Sequence, residues 1–132
     1  MKQNHVAHFE IYANQPDKLS DFYSQLFDWT IETVPGMDYR LVKTTETNER
    51  GMPTSPGGIN GGIAKRPDGY NDRAWVNYVN VDSIEASVER AQKLGATLMK
   101  EKLPVPGMGW FAMLTDPEGN IFSLWQTDPN AK

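Results

Sequence analysis

Two side chains near the start of the sequence have the types and the spacing needed for proton transfer. His8 and Glu10 stand two residues apart in the segment HFEIY. Residues i and i+2 of a β-strand share a face, so an imidazole and a carboxylate would lie side by side there. Histidine changes its charge near neutral pH, and a neighbouring carboxylate favours the charged form. The pair could act as a general acid and base, but no obvious nucleophile accompanies it, because cysteine is absent and Ser123 has no histidine near it in sequence.

The strand that carries this pair opens a series of elements over about residues 5–65. Asn14 and Pro16 are typical of a helix start. Apolar residues at helical spacing follow and predict an amphipathic helix that packs through them: Leu19, Phe22, Tyr23 and Leu26. Alternating patterns predict strands at 5–12, 29–34, 39–44 and 59–65. Gly61 and Gly62 in the last strand indicate the close approach of another backbone or a ligand.

The same order of elements returns over about residues 73–127. Its helix is predicted from a second apolar stripe, formed by Ile84, Val88, Ala91 and Leu94, with Gly95 at the position of a C-cap glycine. Strands are predicted at 75–81, 97–103, 110–114 and 121–126, and the turn DPEGN joins the last two. Each half alone would expose one face of its sheet. We therefore expect one α+β domain over 1–132, in which two βαβββ modules form a curved eight-stranded sheet around a cleft, with the helices outside.

Composition argues against several classes of function. The absence of cysteine excludes disulfides and thiolate metal sites. A formal net charge of −4, without a cluster of Lys or Arg, argues against nucleic acid as a partner. No apolar run approaches the ~20 residues needed to cross a bilayer, and the first residues lack the apolar run of a secretory signal. We expect a cytoplasmic protein with no nucleic-acid or membrane partner.

Two long segments resemble the glyoxalase/bleomycin-resistance/dioxygenase (vicinal oxygen chelate) superfamily. HFEIYANQPDKLSDFYSQLFDWTIE is similar to its opening module, and GWFAMLTDPEGNIFSLWQ to its closing hairpin. With the start of the second module at 75–96, the resemblance extends from about Val6 to Gln126. It implies two βαβββ modules around a small-molecule cleft. It does not choose an activity, because the superfamily includes isomerases, dioxygenases, fosfomycin-modifying enzymes and non-catalytic drug-sequestering proteins.

The resemblance also implies where a divalent metal would be held, through His, Gln or Glu on the first and last strands of each module. Those positions fall here on His8, Asn60, Val76 and Ser123. A divalent metal ion of intermediate softness needs three or four nitrogen or oxygen donors. Of these four residues, only His8 is of a type that the superfamily uses as a metal ligand. Glu10 could add a carboxylate from the same face. We therefore expect no catalytic metal and no cofactor, and we interpret His8 as a hydrogen-bonded cleft residue.

Strand alternation adds aromatic residues to this face if the carried-over positions line the cleft. The predicted ligand-binding residues are then His8, Glu10, Tyr12, Asn60, Tyr78, Ser123 and Trp125. Aromatic walls with a few polar donors suit a small organic ligand, planar or aromatic. Phe22 and Trp29, in contrast, are expected in the core beneath the helix.

Three functions are compatible with these residues. The first is a small-molecule binding protein of the superfamily without a catalytic metal. The alternatives are a divalent-metal-dependent lyase or dioxygenase, with ligands elsewhere or from a partner chain, and a metal-free isomerase that uses His8 and Glu10. The resemblance implies a homodimer in each case, since chains of this type commonly pair.

Overall fold

The computed structural model describes residues 4–132, which form eight strands and two helices. The first module contains β1 (Val6–Ala13), α1 (Pro16–Phe27), β2 (Thr30–Thr33), β3 (Tyr39–Lys43) and β4 (Asn60–Lys65). The second contains β5 (Val76–Asn80), α2 (Ile84–Lys93), β6 (Thr97–Val105), β7 (Gly109–Thr115) and β8 (Ile121–Thr127). The predicted α+β class and the repeated βαβββ order are confirmed. Neither helix of the described residues is long and apolar enough to cross a membrane.

The described residues divide into two compact units, 8–75 and 76–132, the second of which also includes residues 4–7. In the first module the strands lie in the order β2-β3-β4-β1, with β1 and β4 parallel and the other pairs antiparallel. Its core consists of five buried residues, Phe9, Ile11, Ala13, Val42 and Ile63. A Cβ at Gly61 would overlap the backbone oxygen and the ring of Phe9. The predicted close approach at this glycine is therefore confirmed.

Helix α1 covers this core with only part of its apolar stripe. Leu19 and Tyr23 pack on the core, but Phe22 and Leu26 are 55% and 57% exposed. The prediction that Phe22 and Leu26 pack inward is wrong. Leu19 and Tyr23 stand four residues apart and form the row of α1 that meets the core, whereas Phe22 and Leu26 form the neighbouring row, which faces solvent. Trp29 packs on the core as predicted, with its ring centroid 5.4 Å from that of Tyr23 and 5.0 Å from that of Phe27.

In the second module the strands lie in the order β5-β8-β7-β6, and four buried residues form the core: Ile84, Ala112, Leu114 and Leu124. Helix α2 is capped by Ser83, whose hydroxyl accepts a hydrogen bond from the Ala86 backbone N–H. Val88 and Ala91 pack on the core, but Leu94 is exposed, because it is the C-cap residue rather than part of the helix face. Gly95 has a φ of 109°, as expected of a glycine that ends a helix.

The predicted turn between β7 and β8 is present and is held by Asp116. Its carboxylate accepts hydrogen bonds from the backbone N–H groups of Glu118 and Asn120, at 2.9 and 3.0 Å, and from the Asn120 side chain. The Asn120 side chain and these amides keep the pKa of Asp116 below its usual range.

Shortening one side chain in the core of the first module should lower the stability of the protein measurably. Ile63 is fully buried between β1 and β3, so Ile63→Ala should lower the free energy of unfolding by about 2–5 kcal/mol. Urea denaturation monitored by tryptophan fluorescence would measure it. Leu94→Ala removes an equally apolar but exposed side chain and should change stability by less than about 0.5 kcal/mol. Equal effects of the two variants would contradict this account of the core.

Candidate functional site

The two faces of β1 separate apolar from polar side chains, as the alternation predicts. Phe9, Ile11 and Ala13 belong to the core of the first module. His8 and Glu10 therefore lie on the opposite face, because successive residues of a strand point in opposite directions. The strand places an imidazole and a carboxylate next to each other on the side of the sheet that α1 does not cover.

His8, Glu10 and Tyr39 form a closed hydrogen-bonded cluster on this face. The Glu10 carboxylate lies 2.8 Å from His8 Nε2 and accepts a hydrogen bond of 3.0 Å from the Tyr39 hydroxyl. His8 Nε2 and the Tyr39 oxygen are themselves 3.1 Å apart. An ionised carboxylate can only accept, so Nε2 carries the proton in its contact with Glu10. The cluster thus provides two donors for one carboxylate.

His8 and Glu10 differ in their access to solvent. The side chain of Glu10 is only 7% exposed, whereas that of His8 is 30% exposed. A buried carboxylate without donors would cost several kcal/mol, so the two hydrogen bonds are needed to keep Glu10 inside. His8 is thus partly open to solvent, and its contact with Glu10 orients the imidazole ring.

Tyr39 was not among the residues predicted from the sequence, although Gly62 was an indirect signal of it. Gly62 lies opposite Glu10 in the register of β1 and β4, and a Cβ at this position would overlap the Tyr39 hydroxyl. Only glycine leaves room for the phenol to reach Glu10. The close approach predicted at Gly62 is therefore made by a side chain of the protein itself.

Asn60 is the Cα partner of His8, but its amide is used within the module. Its oxygen accepts a hydrogen bond of 2.9 Å from the backbone N–H of Thr44, and its nitrogen donates to the Thr47 hydroxyl at 2.9 Å. Asn60 therefore holds the start of the 44–58 loop against β4. Both of its polar atoms are occupied by this structural role.

The second module carries its own set of predicted residues on β5 and β8. Tyr78 and Ser123 are Cα partners, and Trp125 lies two residues further along β8. Tyr78 is buried, with its ring centroid 6.4 Å from that of Phe111, and the Trp125 indole donates to the Thr127 hydroxyl at 3.1 Å. Ser123 is fully buried, and its hydroxyl has no hydrogen-bond partner among residues 4–132.

A family model for the glyoxalase-like domain matches residues 8–125, which is most of the sequence and includes both modules. The chain belongs to the glyoxalase-like domain family. The resemblance to the glyoxalase/bleomycin-resistance/dioxygenase superfamily is thereby confirmed.

Curated relatives and solved structures agree with this family. Putative glyoxylase CFP32 of Mycobacterium tuberculosis is 29% identical over 125 residues, which cover 91% of this chain and 43% of the relative. Anthracycline biosynthesis protein DnrV of Streptomyces peucetius is 25% identical over 134 residues, covering 91% of this chain and 46% of DnrV. This glyoxalase-like domain therefore spans less than half the length of both relatives.

Among solved structures, the Bacillus halodurans protein BH1468 superimposes with a TM-score of 0.64 at 14% identity, covering 99% of both chains. Streptomyces coelicolor methylmalonyl-CoA epimerase gives a TM-score of 0.63 at 15% identity and covers 99% of both chains. At these identities the similarity concerns the fold alone.

The side chains of this glyoxalase-like domain do not fit the metal centre that enzymes of the superfamily hold. Val76 is a buried apolar residue, Asn60 uses both amide atoms elsewhere, and Nε2 of His8 donates its proton to Glu10. In the described part of the chain, no three His, Cys, Asp or Glu residues are grouped so that they could hold a metal ion. Three or four converging donors are needed, and these positions do not supply them.

The cluster predicts that the Tyr39 hydroxyl contributes to stability. Tyr39→Phe removes one donor from a buried carboxylate and should lower the free energy of unfolding by about 1–3 kcal/mol. Gly62→Ala should lower the free energy of unfolding by at least as much, because the new methyl group displaces the same hydroxyl. Chemical denaturation of both variants would measure these changes.

Tyr70→Phe is the matched control. The Tyr70 hydroxyl is buried without a hydrogen-bond partner in the described residues, and this burial raises its pKa. Removing it should be neutral or slightly stabilising, because no bond is lost and a desolvated polar atom disappears. A neutral Tyr39→Phe variant would show that Glu10 does not depend on the phenol.

Proposed function

We propose that this glyoxalase-like domain binds a small organic molecule without a catalytic metal. The observation that carries the proposal is the His8–Glu10–Tyr39 cluster. The hydrogen bonds within the cluster engage Oε2 of Glu10 and Nε2 of His8, and they hold the partly exposed imidazole in one orientation. A rigid polar group at a protein surface that is otherwise apolar or aromatic is typical of ligand-binding sites.

In the second module we propose Tyr78, Ser123 and Trp125 as the ligand-binding residues. Trp125 offers partly exposed aromatic surface, Tyr78 is buried, and the Ser123 hydroxyl is a buried polar atom without a partner among the residues described. Such an atom costs free energy in the unliganded protein, so a ligand that hydrogen-bonds to it gains affinity. The ligand class that suits these groups is a planar or aromatic molecule with at least one polar substituent.

A homodimer is part of the same proposal. The second module exposes the large apolar side chains of Met99, Leu103 and Met108 on β6 and next to β7, and apolar side chains of this kind are enriched where chains associate. Light scattering coupled to size exclusion would give the mass in solution. A strictly monomeric protein across the micromolar range would contradict this part.

A metal-free isomerase is the second candidate, and the 2.8 Å contact between His8 and Glu10 favours it. A histidine held by a carboxylate is a suitable group for moving a proton to and from a carbon acid. Solvent deuterium should then enter a bound ligand at one carbon. Loss of this exchange in His8→Ala, with ligand still bound, would support catalysis, whereas binding without exchange supports the first candidate.

Ligand binding should depend on His8 and should not depend on metal. A thermal-shift screen of small aromatic acids, phenols and amides would identify ligands, and calorimetry would then measure their affinity. His8→Ala should weaken binding by about tenfold or more, because a hydrogen bond to the ligand is lost. Excess EDTA should leave the affinity unchanged.

His5→Ala is the matched control, since His5 is the other histidine of the chain and is not part of the cluster. It should bind ligands like the wild-type protein. Elemental analysis of the purified protein supplies the opposing outcome: one equivalent of zinc, nickel, manganese or iron that disappears in His8→Ala would establish the metalloenzyme alternative instead.

A further inference from the structure

A recess lies on the first module, and no member of the His8–Glu10–Tyr39 cluster is among the residues that line it. It is an open groove of about 500 Å³ formed where the end of β1, α1 and the segment 66–75 meet. Ile11, Tyr12 and Ala13 contribute to it, and Ile11 and Ala13 belong to the face of β1 that points toward α1. The groove therefore opens on the helix side of the sheet. We call it the α1 groove.

The charge of the α1 groove is opposite to that of the chain. Three of its described lining residues are cationic, namely Lys18, Arg66 and Arg73, and none is acidic. The protein as a whole has a formal net charge of −4. A local excess of positive charge on an acidic protein favours a negatively charged ligand at this place.

Arg66 is held in place by neutral oxygen atoms. Its guanidinium donates to the Asn14 side-chain oxygen at 3.1 Å, to the Asp72 backbone oxygen at 2.6 Å and to the Tyr12 backbone oxygen at 3.1 Å. None of the ion pairs among residues 4–132 involves Arg66, Arg73 or Lys18. The positive charge of Arg66 is therefore fixed in direction and is not neutralised by a carboxylate contact.

The remaining walls of the α1 groove are aromatic. Phe22 is 55% exposed and Trp75 is 43% exposed, so both present ring surface to solvent. The Trp75 ring is held by Phe9, at a centroid distance of 5.2 Å, and by the edge of Tyr23, at 6.0 Å. Because these contacts already fix Trp75, a flat ligand could stack there with little further loss of side-chain entropy.

We propose that the α1 groove is a binding site for a small planar aromatic anion, such as an aryl carboxylate or sulfonate. The rings of Phe22, Tyr23 and Trp75 contact its apolar face, and Arg73 with Lys18 pairs with its charge beside the fixed Arg66. The volume is within the range of small-molecule sites. This site is separate from the proposed ligand site of the cluster, and either can exist without the other.

The test uses a pair of fluorescent probes that differ in charge. One equivalent of the anion 8-anilinonaphthalene-1-sulfonate should bind to the protein with enhanced emission. Its affinity should be lower in 0.5 M NaCl than in 0.05 M NaCl. Arg73→Gln should lower the affinity for the anion by about tenfold, because a charge-assisted contact is lost. The affinity of the same variant for the neutral probe N-phenyl-1-naphthylamine should change by less than about twofold. Arg90→Gln is the matched control, since Arg90 is an exposed arginine on α2.

A second pair of variants tests the aromatic wall. Phe22→Ala should lower the affinity for both probes by about tenfold, because it removes a ring on which both probes stack. Leu94→Ala, an exposed apolar truncation in the second module, should weaken neither. Circular dichroism would show that each variant is folded, and the exposed positions of Phe22 and Arg73 make this the expected result.

Several outcomes would overturn the proposal. Equal effects of Arg73→Gln and Arg90→Gln would show a general charge effect. Anion binding that is lost in His8→Ala but retained in Phe22→Ala would place the probe at the cluster instead. A dimer that Phe22→Ala splits, with the anion binding only to the monomer, would show that a second copy of the chain covers the α1 groove.

Discussion

The burial of one carboxylate determines how the polar face of the first module is built. Glu10 lies on β1 at 6% exposure, and a carboxylate buried to this extent requires donors within hydrogen-bond distance. Backbone groups of a strand are engaged in the ladder, so the donors must come from side chains. Tyr39 reaches across from β3, and it can do so only because β4 has glycine at position 62. One buried charge thus explains a tyrosine, a glycine and the orientation of a histidine.

The same constraint engages side chains at the positions where enzymes of the superfamily hold a metal. A first-strand histidine in such a protein can direct a nitrogen atom at an ion, with carboxylate or amide ligands from other strands. Here the strand histidine shares its Nε2 proton with Glu10, and the fourth-strand position carries an asparagine that anchors a loop. The fold is retained, but its polar atoms are used to satisfy one another.

How much could be predicted from the sequence depended on how local each interaction is. The alternation along β1 placed His8 and Glu10 on one face, because strand periodicity is a property of neighbouring residues. Tyr39 could not be paired with Glu10 in this way, since their contact depends on the register of β1, β4 and β3. The inward packing predicted for Phe22 and Leu26 failed because helical spacing does not tell how wide a face of α1 the core covers, and only the row of Leu19 and Tyr23 reaches it. The α1 groove depends on a segment without regular structure, which periodicity does not describe.

The parallel pairing of β1 with β4 also affects the order in which the first module can assemble. β4 reaches its place beside β1 only after the chain has passed through α1, β2 and β3, and closing a connection of that length is slow compared with forming a hairpin. During synthesis on the ribosome, β1 therefore emerges long before its neighbour exists. Until Gly62 and Tyr39 arrive, Glu10 remains hydrated, and β1 has an open edge that other chains could pair with. The polar cluster is thus among the last parts of this module to become native.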